Sequence, residues 1–283
     1  TGTFENLFPT STKTIESSIP NINIASKKIK NIGFGKPQVF VPVFPGTNCE
    51  YETIDAFKKE SAIINSLTFK NLQKNDIAES IAAFSKTIDE SQIIVFSGGF
   101  SAGDEPDGSA KFIVNVLKNA AIRNSIHQFL NKGGLILGIC NGFQALIKSG
   151  LLPEGCIEDR TSLSPTLTFN SIGRHVSQMV DIKVVSDHSP WLQGMLGKTY
   201  RVPVSHGEGR FTAAHGVMQQ LIAQHQVATQ YIDEKHLATE AFPYNPNGSV
   251  YGVEGLISPN GQVYGRMAHP ERMKKNRFTT FLL

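Results

Sequence analysis

The residue best placed to act as a nucleophile is Cys140, which lies between two glycines in the pattern Gly138-x-Cys140-x-Gly142. The apolar run at residues 135–139 predicts a strand buried on both faces, and an amphipathic helix is expected to begin directly after the cysteine. A strand, a sharp turn carrying the nucleophile and a helix form a nucleophile elbow, here with Cys in place of Ser. Glycine neighbours avoid collisions at such a strained turn. At the helix N-terminus the dipole and free N–H groups favour the thiolate; the alternative is a buried cysteine in an ordinary strand–helix junction.

A thiolate nucleophile needs a base, and the base needs an orienting partner. Two places in the chain offer His and Glu two positions apart, His206 with Glu208 and His269 with Glu271. Side chains two apart in an extended segment share a face, so either pair could set a carboxylate against an imidazole. The second pair follows a strong strand pattern, and Pro270 restricts the backbone between its members. We therefore expect His269 and Glu271 to complete the site, whereas the Gly-rich first pair is more typical of a flexible contact loop.

Acyl transfer through a thiolate also requires hydrogen-bond donors for the oxyanion. The N–H of Asn141 follows the nucleophile directly, and Gly99 lies in the loop after a strand predicted at residues 92–96. Ligands of open α/β sheets bind at the carboxyl ends of the strands. We therefore expect Gly99 and Asn141 to form an oxyanion hole, although two adjacent glycines are by themselves also typical of a plain turn.

The elements that must position these residues alternate between strand and helix in the first half of the chain. Strands are predicted at residues 38–44, 62–69, 92–96 and 135–139, with helices at 48–60, 76–84 and 108–130. Such alternation implies right-handed βαβ units. The second half shows strand patterns at residues 176–185, 199–204, 226–232, 250–257 and 263–267, and a C-terminal helix or its beginning at 271–283. The sequence predicts an α/β fold, an open and mostly parallel sheet with helices on both faces, plus a smaller β-rich excursion in the second half.

Charge, hydropathy and cysteine spacing argue against several classes of protein. The 283 residues carry a formal net charge of +3, with Lys and Arg scattered along the chain, which does not favour nucleic-acid binding. No apolar run approaches the length that spans a membrane, so no membrane partner is expected. Three cysteines without paired spacing do not suggest a disulfide framework or a zinc site, and they suit a reducing cytoplasm.

Six stretches carry a resemblance to known enzymes. The elbow and the His-Pro-Glu stretch are similar to the class I, triad-type glutamine amidotransferases. The remaining stretches are closer still to the glutaminase domain of phosphoribosylformylglycinamidine synthases, in particular the C-terminal part of the large single-chain form. The matching stretches are residues 43–50, 98–104, 138–144, 204–210, 245–249 and 269–272.

The resemblance implies a role for each residue of the predicted site. Cys140 attacks the side-chain amide of L-glutamine, and His269, oriented by Glu271, shuttles the proton. The N–H groups of Gly99 and Asn141 hold the oxyanion, a γ-glutamyl thioester forms with release of ammonia, and water then frees glutamate.

The resemblance also implies binding and coupling residues. The glutamine contacts it implies are Phe100, Gln144, Asn170 and Arg174, and the contacts to a synthase domain are Ser205, His206, Glu208 and Arg210. One departure lies at His175, where many relatives of this family carry Phe.

The expected partner is a synthase domain that turns formylglycinamide ribonucleotide into its amidine with ammonia, ATP and Mg²⁺. No Gly-rich phosphate loop with a Lys is found in this sequence, so no cofactor and no metal are expected in the chain itself. Residues 1–36 are then expected to be a linker or extension from a preceding synthase domain, and residues 37–283 the amidotransferase domain. The alternatives are a free-standing glutaminase subunit, another α/β cysteine hydrolase or peptidase, and an interaction module without catalysis.

Overall fold

The computed structural model describes residues 35–101 and 109–273. The expected linker at residues 1–36 falls almost entirely outside the described residues, as does most of the C-terminal helix predicted at residues 271–283. Within the described part of that helix, Pro270–Arg272 forms a short 3-10 turn.

One large sheet of nine strands dominates the described part of the chain, and a separate two-stranded sheet accompanies it. The strands are β1 (Gln38–Val43), β2 (Ile63–Thr68), β3 (Ile93–Phe96), β4 (Leu135–Ile139), β5 (Thr166–Thr168), β6 (Val176–Val184), β7 (Thr199–His206), β8 (Arg210–Thr212), β9 (Val227–Tyr231), β10 (Val253–Ile257) and β11 (Val263–Arg266). The order across the large sheet is β2-β1-β3-β4-β11-β10-β9-β6-β7, and β5 pairs with β8.

The first five strands in that order are parallel to one another. β1 pairs in parallel with β2 and β3, β3 with β4, and β4 with β11. The apolar sequences of β1, β3 and β4 suit strands covered on both faces. Parallel strands bring their carboxyl ends to one edge, so the segments after β1, β3, β4 and β11 meet there.

Helices cover both faces of this parallel half. They are α1 (Glu50–Lys59), α2 (Asp76–Glu90), α3 (Lys111–Lys118), α4 (Ala120–Asn131), α5 (Asn141–Ser149), α6 (Leu151–Glu154) and α7 (His215–Ala223). Side chains of α2 to α5 pack with Phe40, Ile94 and Ile136 in the main core. On the opposite face, Val39 and Val95 pack against residues of α1. The α/β fold with a mainly parallel central sheet is therefore confirmed.

The β-rich second half of the chain extends the large sheet. β10, β9, β6 and β7 join the large sheet through antiparallel pairs and lengthen it, so they do not form a separate β unit. The join is made by β11, which pairs in parallel with β4 on one side and antiparallel with β10 on the other. The part outside the large sheet is the β5–β8 pair.

None of the helices in the described ranges is long and apolar enough to cross a membrane. Cys49, Cys140 and Cys156 all lie in those ranges, and each is a free thiol.

Candidate active site

Cys140 lies at the turn between β4 and α5. Its backbone has φ 51° and ψ −104°, a conformation rare for a residue with a side chain, and it caps the N-terminus of α5. Two backbone bonds fix the turn: the Cys140 N–H donates to the Arg266 carbonyl at 2.8 Å, and the Gln144 N–H donates to the Cys140 carbonyl at 3.0 Å. The thiol is therefore held at a helix N-terminus beside the end of β11, as a nucleophile elbow requires.

The two glycines of the elbow have a steric reason. A Cβ on Gly142 would overlap the carbonyl of Phe96 at the end of β3, and a Cβ on Gly138 would lie 2.5 Å from Cδ1 of Leu146. Because the first of these obstacles is backbone, it cannot swing aside. The pattern Gly-x-Cys-x-Gly thus reflects how closely α5 approaches the sheet.

His269 and Glu271 form a buried pair just after β11. Nδ1 of His269 lies 2.6 Å from Oε1 of Glu271, and both side chains are at least nine-tenths buried. The His269 N–H donates to the Pro203 carbonyl of β7 at 2.9 Å, which fixes the backbone at this point. The carboxylate therefore holds Nδ1, which leaves Nε2 of His269 as the nitrogen free to exchange a proton.

The imidazole of His269 is also in contact with two thiols. Burial lowers the pKa of His269, but attraction to Cys140 and hydrogen bonds with Cys140, Cys49 and Glu271 raise it well above its ordinary value. A ring whose pKa is raised in this way is suited to donate a proton to a leaving group.

The other His-x-Glu pair is arranged differently. His206 is buried, and its Nδ1 lies 3.2 Å from Oδ1 of Asn170, whereas the carboxylate of Glu208 accepts from Ser109. Burial and the repulsion from His269 and His175 lower the pKa of His206 to about 3. A group with so low a pKa stays neutral and is a weak base near pH 7.

The two expected oxyanion donors lie in adjacent loops. Gly99 has φ +154°, and a Cβ there would lie 2.6 Å from the Gly46 carbonyl, so only glycine fits. Oδ1 of Asn141 accepts a hydrogen bond from the Ser101 N–H at 3.2 Å, which ties the loop after β3 to the start of α5. Among the described residues, the N–H groups of Gly99 and Asn141 have no acceptor.

Two of the expected glutamine contacts have their amides occupied by protein groups. Gln144 donates to the Glu208 carbonyl at 2.6 Å and accepts from Asn141 at 2.9 Å. Asn170 donates to the carbonyls of Arg174 and His206, and its Oδ1 accepts from the Gly209 N–H. Both amides hold the wall of the site in place in this structure.

The other two expected glutamine contacts, Phe100 and Arg174, are at the surface. Phe100 is 36% exposed, and its ring centroid lies 6.3 Å from that of His175. Nε2 of His175 in turn lies 2.9 Å from Oγ of Ser205, and the side chains of Arg174 and His175 are exposed. These groups form the rim of the site.

Residues 205–210 were expected to be a flexible contact loop, and none of them is exposed: His206, Glu208 and Gly209 are buried, and the other three are half-buried. The Ser205 carbonyl lies 3.7 Å from Sγ of Cys140, Glu208 is 5% exposed, and Arg210 donates through Nε to the Gly248 carbonyl at 3.2 Å. The segment is therefore packed against its neighbours, and its contact with a synthase component stays a prediction. Its glycines suggested mobility, but the pairing of β7 with β6 and the side chain of Asn170 hold it against the elbow.

Glu208 connects this segment to the helix that carries the nucleophile. Its carboxylate accepts a hydrogen bond from Oγ of Ser109, and Nζ of Lys148 on α5 lies 4.0 Å away. Lys148 also donates to the Ser109 carbonyl at 2.9 Å. A movement of residues 205–210 would therefore displace the side chain of Lys148 on α5 through these contacts.

Sequence reasoning missed three buried residues at the site. Cys49, after β1, places its Sγ 3.1 Å from Oδ1 of Asn48 and in contact with His269. Glu254 of β10 and Arg266 of β11 form an ion pair behind the triad, with Nε and Oε1 3.4 Å apart. The signal for this pair was in the sequence, since a Glu and an Arg each interrupt an otherwise apolar strand pattern.

The part of the chain that the structure describes contains one cluster with metal-ligand chemistry. Ligand atoms of Cys49, His269 and Glu271 lie within 4.8 Å of one another. The shortest bond in that cluster is the one between His269 and Glu271, so a cation there would compete with the imidazole–carboxylate contact. The arrangement therefore suits an imidazole oriented by a carboxylate better than a bound metal ion.

Comparisons with known proteins agree with the architecture. Residues 36–281 match the family model of the CobB/CobQ-like glutamine amidotransferase domain. The chain is 35% identical over 239 residues to phosphoribosylformylglycinamidine synthase subunit PurQ of Methanococcus maripaludis strain C5, covering 83% of each chain. It is 32% identical over 234 residues to the subunit of the same name from Archaeoglobus fulgidus, covering 80% of this chain and 84% of the relative.

A solved structure is also similar. The structure of PurLQS from Thermotoga maritima superposes with a TM-score of 0.60 at 26% identity, covering 86% of this chain and 91% of that chain.

Proposed function

This chain belongs to the CobB/CobQ-like glutamine amidotransferase domain family, and from that premise we propose that it is the glutaminase of a phosphoribosylformylglycinamidine synthase. It is an enzyme, a glutamine amidotransferase of the PurQ type. The observation that carries the proposal is the buried His269–Glu271 pair beside a thiol held at a strained elbow.

The proposed reaction begins with the thiolate of Cys140. It attacks the side-chain amide carbon of glutamine, forming a C–S bond, and the charge on the carbonyl oxygen is held by the N–H groups of Gly99 and Asn141. His269 donates its proton to the amide nitrogen, the C–N bond breaks and ammonia leaves. Water then attacks the thioester, His269 accepts the proton, and glutamate is released with the thiolate restored. Glu271 keeps the imidazole in the orientation that serves both transfers.

Glutamine would bind between the rim and the wall of this site. Phe100 and Arg174 are the expected contacts with exposed side chains. Gln144 and Asn170 would act through the segments they hold, because their amides are already bonded to protein groups. Ser205, His206, Glu208 and Arg210 would respond to a partner through the Glu208–Ser109–Lys148 contacts, since the segment is packed against α5.

The ammonia would pass to a synthase component that aminates formylglycinamide ribonucleotide with ATP and Mg²⁺. The curated relatives are named as subunits, and the name of the similar solved structure joins PurL, PurQ and PurS. These names favour a separate synthase subunit as partner over a synthase domain fused through residues 1–36. The mass of the polypeptide in its source cell decides between them: a mass that includes a synthase portion contradicts the separate subunit.

The glutaminase assignment is tested with a glutamine analogue that carries a diazo-ketone at the side-chain carbonyl. We expect it to alkylate Cys140, to block ammonia release from glutamine, and to leave Cys49 and Cys156 unmodified. Peptide mass mapping identifies the labelled thiol. A label on Cys49, or cleavage of peptides without ammonia release from glutamine, would contradict the assignment and favour another cysteine hydrolase.

A further inference from the structure

The loop at residues 245–249 is polar in sequence but buried in the structure. Asn245, Asn247 and Ser249 are each 1% exposed or less. The loop is one of the six stretches that carry the family resemblance, yet no step of the proposed reaction uses it. Burying an amide or a hydroxyl costs free energy unless its polar atoms find partners. The partners of these side chains therefore indicate what the loop does.

Asn245 folds the loop onto itself. Its Oδ1 accepts from the N–H groups of Gly248 and Ser249 at 2.9 and 3.2 Å. Its Nδ2 donates to the Ser249 carbonyl at 2.9 Å and to the Thr239 carbonyl at 3.2 Å. These bonds all stay within residues 239–249, so Asn245 shapes the loop itself.

Asn247 bonds to groups outside the loop. Its Nδ2 donates to the Gly209 carbonyl at 2.8 Å and lies 3.1 Å from the hydroxyl of Tyr231, and its backbone carbonyl accepts from the Ser171 N–H at 2.9 Å. Its Oδ1 accepts from the Ser249 N–H at 3.0 Å. Because the Gly209 carbonyl can only accept and the Ser249 N–H can only donate, the amide fits in one orientation.

Two segments pack against each other at the proposed site, residues 170–175 and 205–210, and together they are the wall segments. Asn170 joins them. Its Oδ1 accepts from the Gly209 N–H at 3.1 Å, and its Nδ2 donates to the His206 carbonyl at 2.8 Å. The wall segments therefore move as one unit as long as these bonds persist.

The wall segments also reach the nucleophile and the helix that follows it. The Ser205 carbonyl lies 3.7 Å from Sγ of Cys140, and the Glu208 carbonyl accepts from Nε2 of Gln144 on α5 at 2.6 Å. Each step from the wall segments to the elbow is thus a direct contact. A change in their position alters the space in which glutamine must fit beside the thiol.

The two residues that follow Asn247 in the loop contact the same region. The Gly248 carbonyl accepts from Nε of Arg210 at 3.2 Å, and Oγ of Ser249 accepts from the Phe211 N–H at 2.9 Å. Gly248 has φ +78°, and a Cβ there would lie 2.5 Å from a side-chain oxygen of the first wall segment. A buried network with so many partners is suited to hold a fixed spacing.

We propose that Asn247 is a positioning residue that fixes the wall segments against the large sheet so that glutamine can bind. The proposal rests on the function proposed above. Asn247 bonds to one residue of each wall segment, and Tyr231 at the end of β9 connects it to the sheet that also carries the elbow. Because the wall segments are fixed beforehand, glutamine does not have to order them when it binds.

The test compares two buried amides, Asn247→Ala and Gln226→Ala. Gln226 is 2% exposed, and its Nε2 donates to the carbonyls of Pro153 and Ile257 at 2.6 and 3.1 Å. It directly precedes β9, at the end opposite to Tyr231. Both substitutions leave buried carbonyl groups without donors, so both should lower the urea midpoint of unfolding. The first alone should act on the wall segments.

For the chain assembled with its synthase component, we expect Asn247→Ala to raise KM for glutamine about tenfold and to leave kcat within about twofold. KM rises because the wall segments are then in the binding-competent arrangement about one tenth of the time. kcat is kept because none of the described contacts of Asn247 involves the elbow or His269. Gln226→Ala should keep both constants. A rise in KM at unchanged kcat shows that binding was lost equally from the ground state and the transition state.

Hydrogen exchange of the full chain without glutamine gives a second readout. Mass spectrometry of peptides that cover residues 166–175 and 205–212 follows the backbone amides of both wall segments. These amides should exchange at least about tenfold faster in Asn247→Ala, because the segments open locally, and at wild-type rates in Gln226→Ala. Faster exchange in one wall segment alone would contradict a residue that fixes both.

An unchanged KM in a folded Asn247→Ala chain of lowered stability would show a merely structural amide and overturn the proposal, as would a loss confined to kcat. If Asn247→Ala does not fold, Ser249→Ala carries the test, because it removes the acceptor of the Phe211 N–H and a donor to Oδ1 of Asn247. A raised KM then supports the proposal, and an unchanged one overturns it. A wild-type chain that releases no ammonia from glutamine refutes the proposed function, and the exchange rates still decide whether Asn247 fixes the wall segments.

Discussion

At the scale of single residues, the two buried histidines beside Cys140 differ in the partners they have. His269 faces a carboxylate and two thiols, whereas His206 faces an amide and two other imidazoles. Burial lowers the pKa of both rings. Attraction to Cys140 and hydrogen bonds to Cys140, Cys49 and Glu271 outweigh it at His269, whereas repulsion from His269 and His175 adds to it at His206. Of the two, His269 alone can therefore exchange a proton with substrate near neutral pH.

The first prediction separates the two rings by their effect on thioester formation. His269→Gln should lower the rate of thioester formation by about 100-fold or more, because the general acid–base group is lost. His206→Gln should lower it by less than about tenfold, since a neutral ring is replaced by a neutral amide. Rapid-quench measurement with labelled glutamine gives both rates, and the reverse order of losses would refute the assignment of the base.

The second prediction concerns the stability of the fold in acid. Below about pH 6.5 the unfolded chain binds a proton at His206, while the folded chain does not until about pH 3. The folded state is therefore destabilised as the pH falls through this window, by about 2 kcal/mol between pH 7 and 5.

His206→Gln should remove this loss of folding stability between pH 7 and 5. His188→Gln, which replaces an exposed ring, should not. Urea unfolding at the two pH values measures the difference. Equal acid sensitivity of the wild type and His206→Gln would contradict the buried neutral ring.

At the scale of elements, the site depends on how closely α5 approaches β3 and β4. The third prediction is that Gly142→Ala destabilises the fold by about 1–3 kcal/mol, because the added methyl meets the Phe96 carbonyl. Gly216→Ala in α7 is the matched control, since a Cβ there has open space and should stabilise the helix slightly. Urea unfolding compares the two, and equal stabilities would show that α5 can retreat from the sheet.

The elements that could be predicted are those whose signal is local. Short apolar runs predicted the parallel strands β1, β3 and β4. The glycines around Cys140 predicted the elbow. The burial of residues 205–210 depends on Asn170, and the continuation of the sheet depends on β11 pairing with strands on both sides. Such contacts join distant parts of the chain and leave no periodic pattern. Glu254 and Arg266 each left a local signal, a charged residue in an apolar strand, but only the pairing of β10 with β11 shows that the two meet.

At the scale of the whole molecule, the proposed glutaminase site lies at the carboxyl ends of the parallel strands, after β3, β4 and β11. The fourth prediction concerns the chain assembled with its synthase component. Cys140→Ala should abolish synthesis driven by glutamine and leave synthesis driven by added ammonia, because the thiol handles glutamine alone.

Cys156→Ala, at a thiol that follows α6 and contacts Glu158, should leave both activities intact. Steady-state assays with each nitrogen source measure them. Loss of the ammonia-driven reaction in a folded Cys140→Ala complex would contradict two separate sites.

The position of β4 and β11 in the sheet affects how activity is lost on heating. They are the fourth and fifth of nine strands, so each is flanked by strands that must detach first. Their amide protons should exchange with solvent only when the whole domain unfolds, while the edge strands β2 and β7 open more readily. Local opening of the edge strands β2 and β7 would thus leave Cys140 and His269 in their relative positions. Thermal inactivation of the glutaminase should consequently coincide with global unfolding and not precede it.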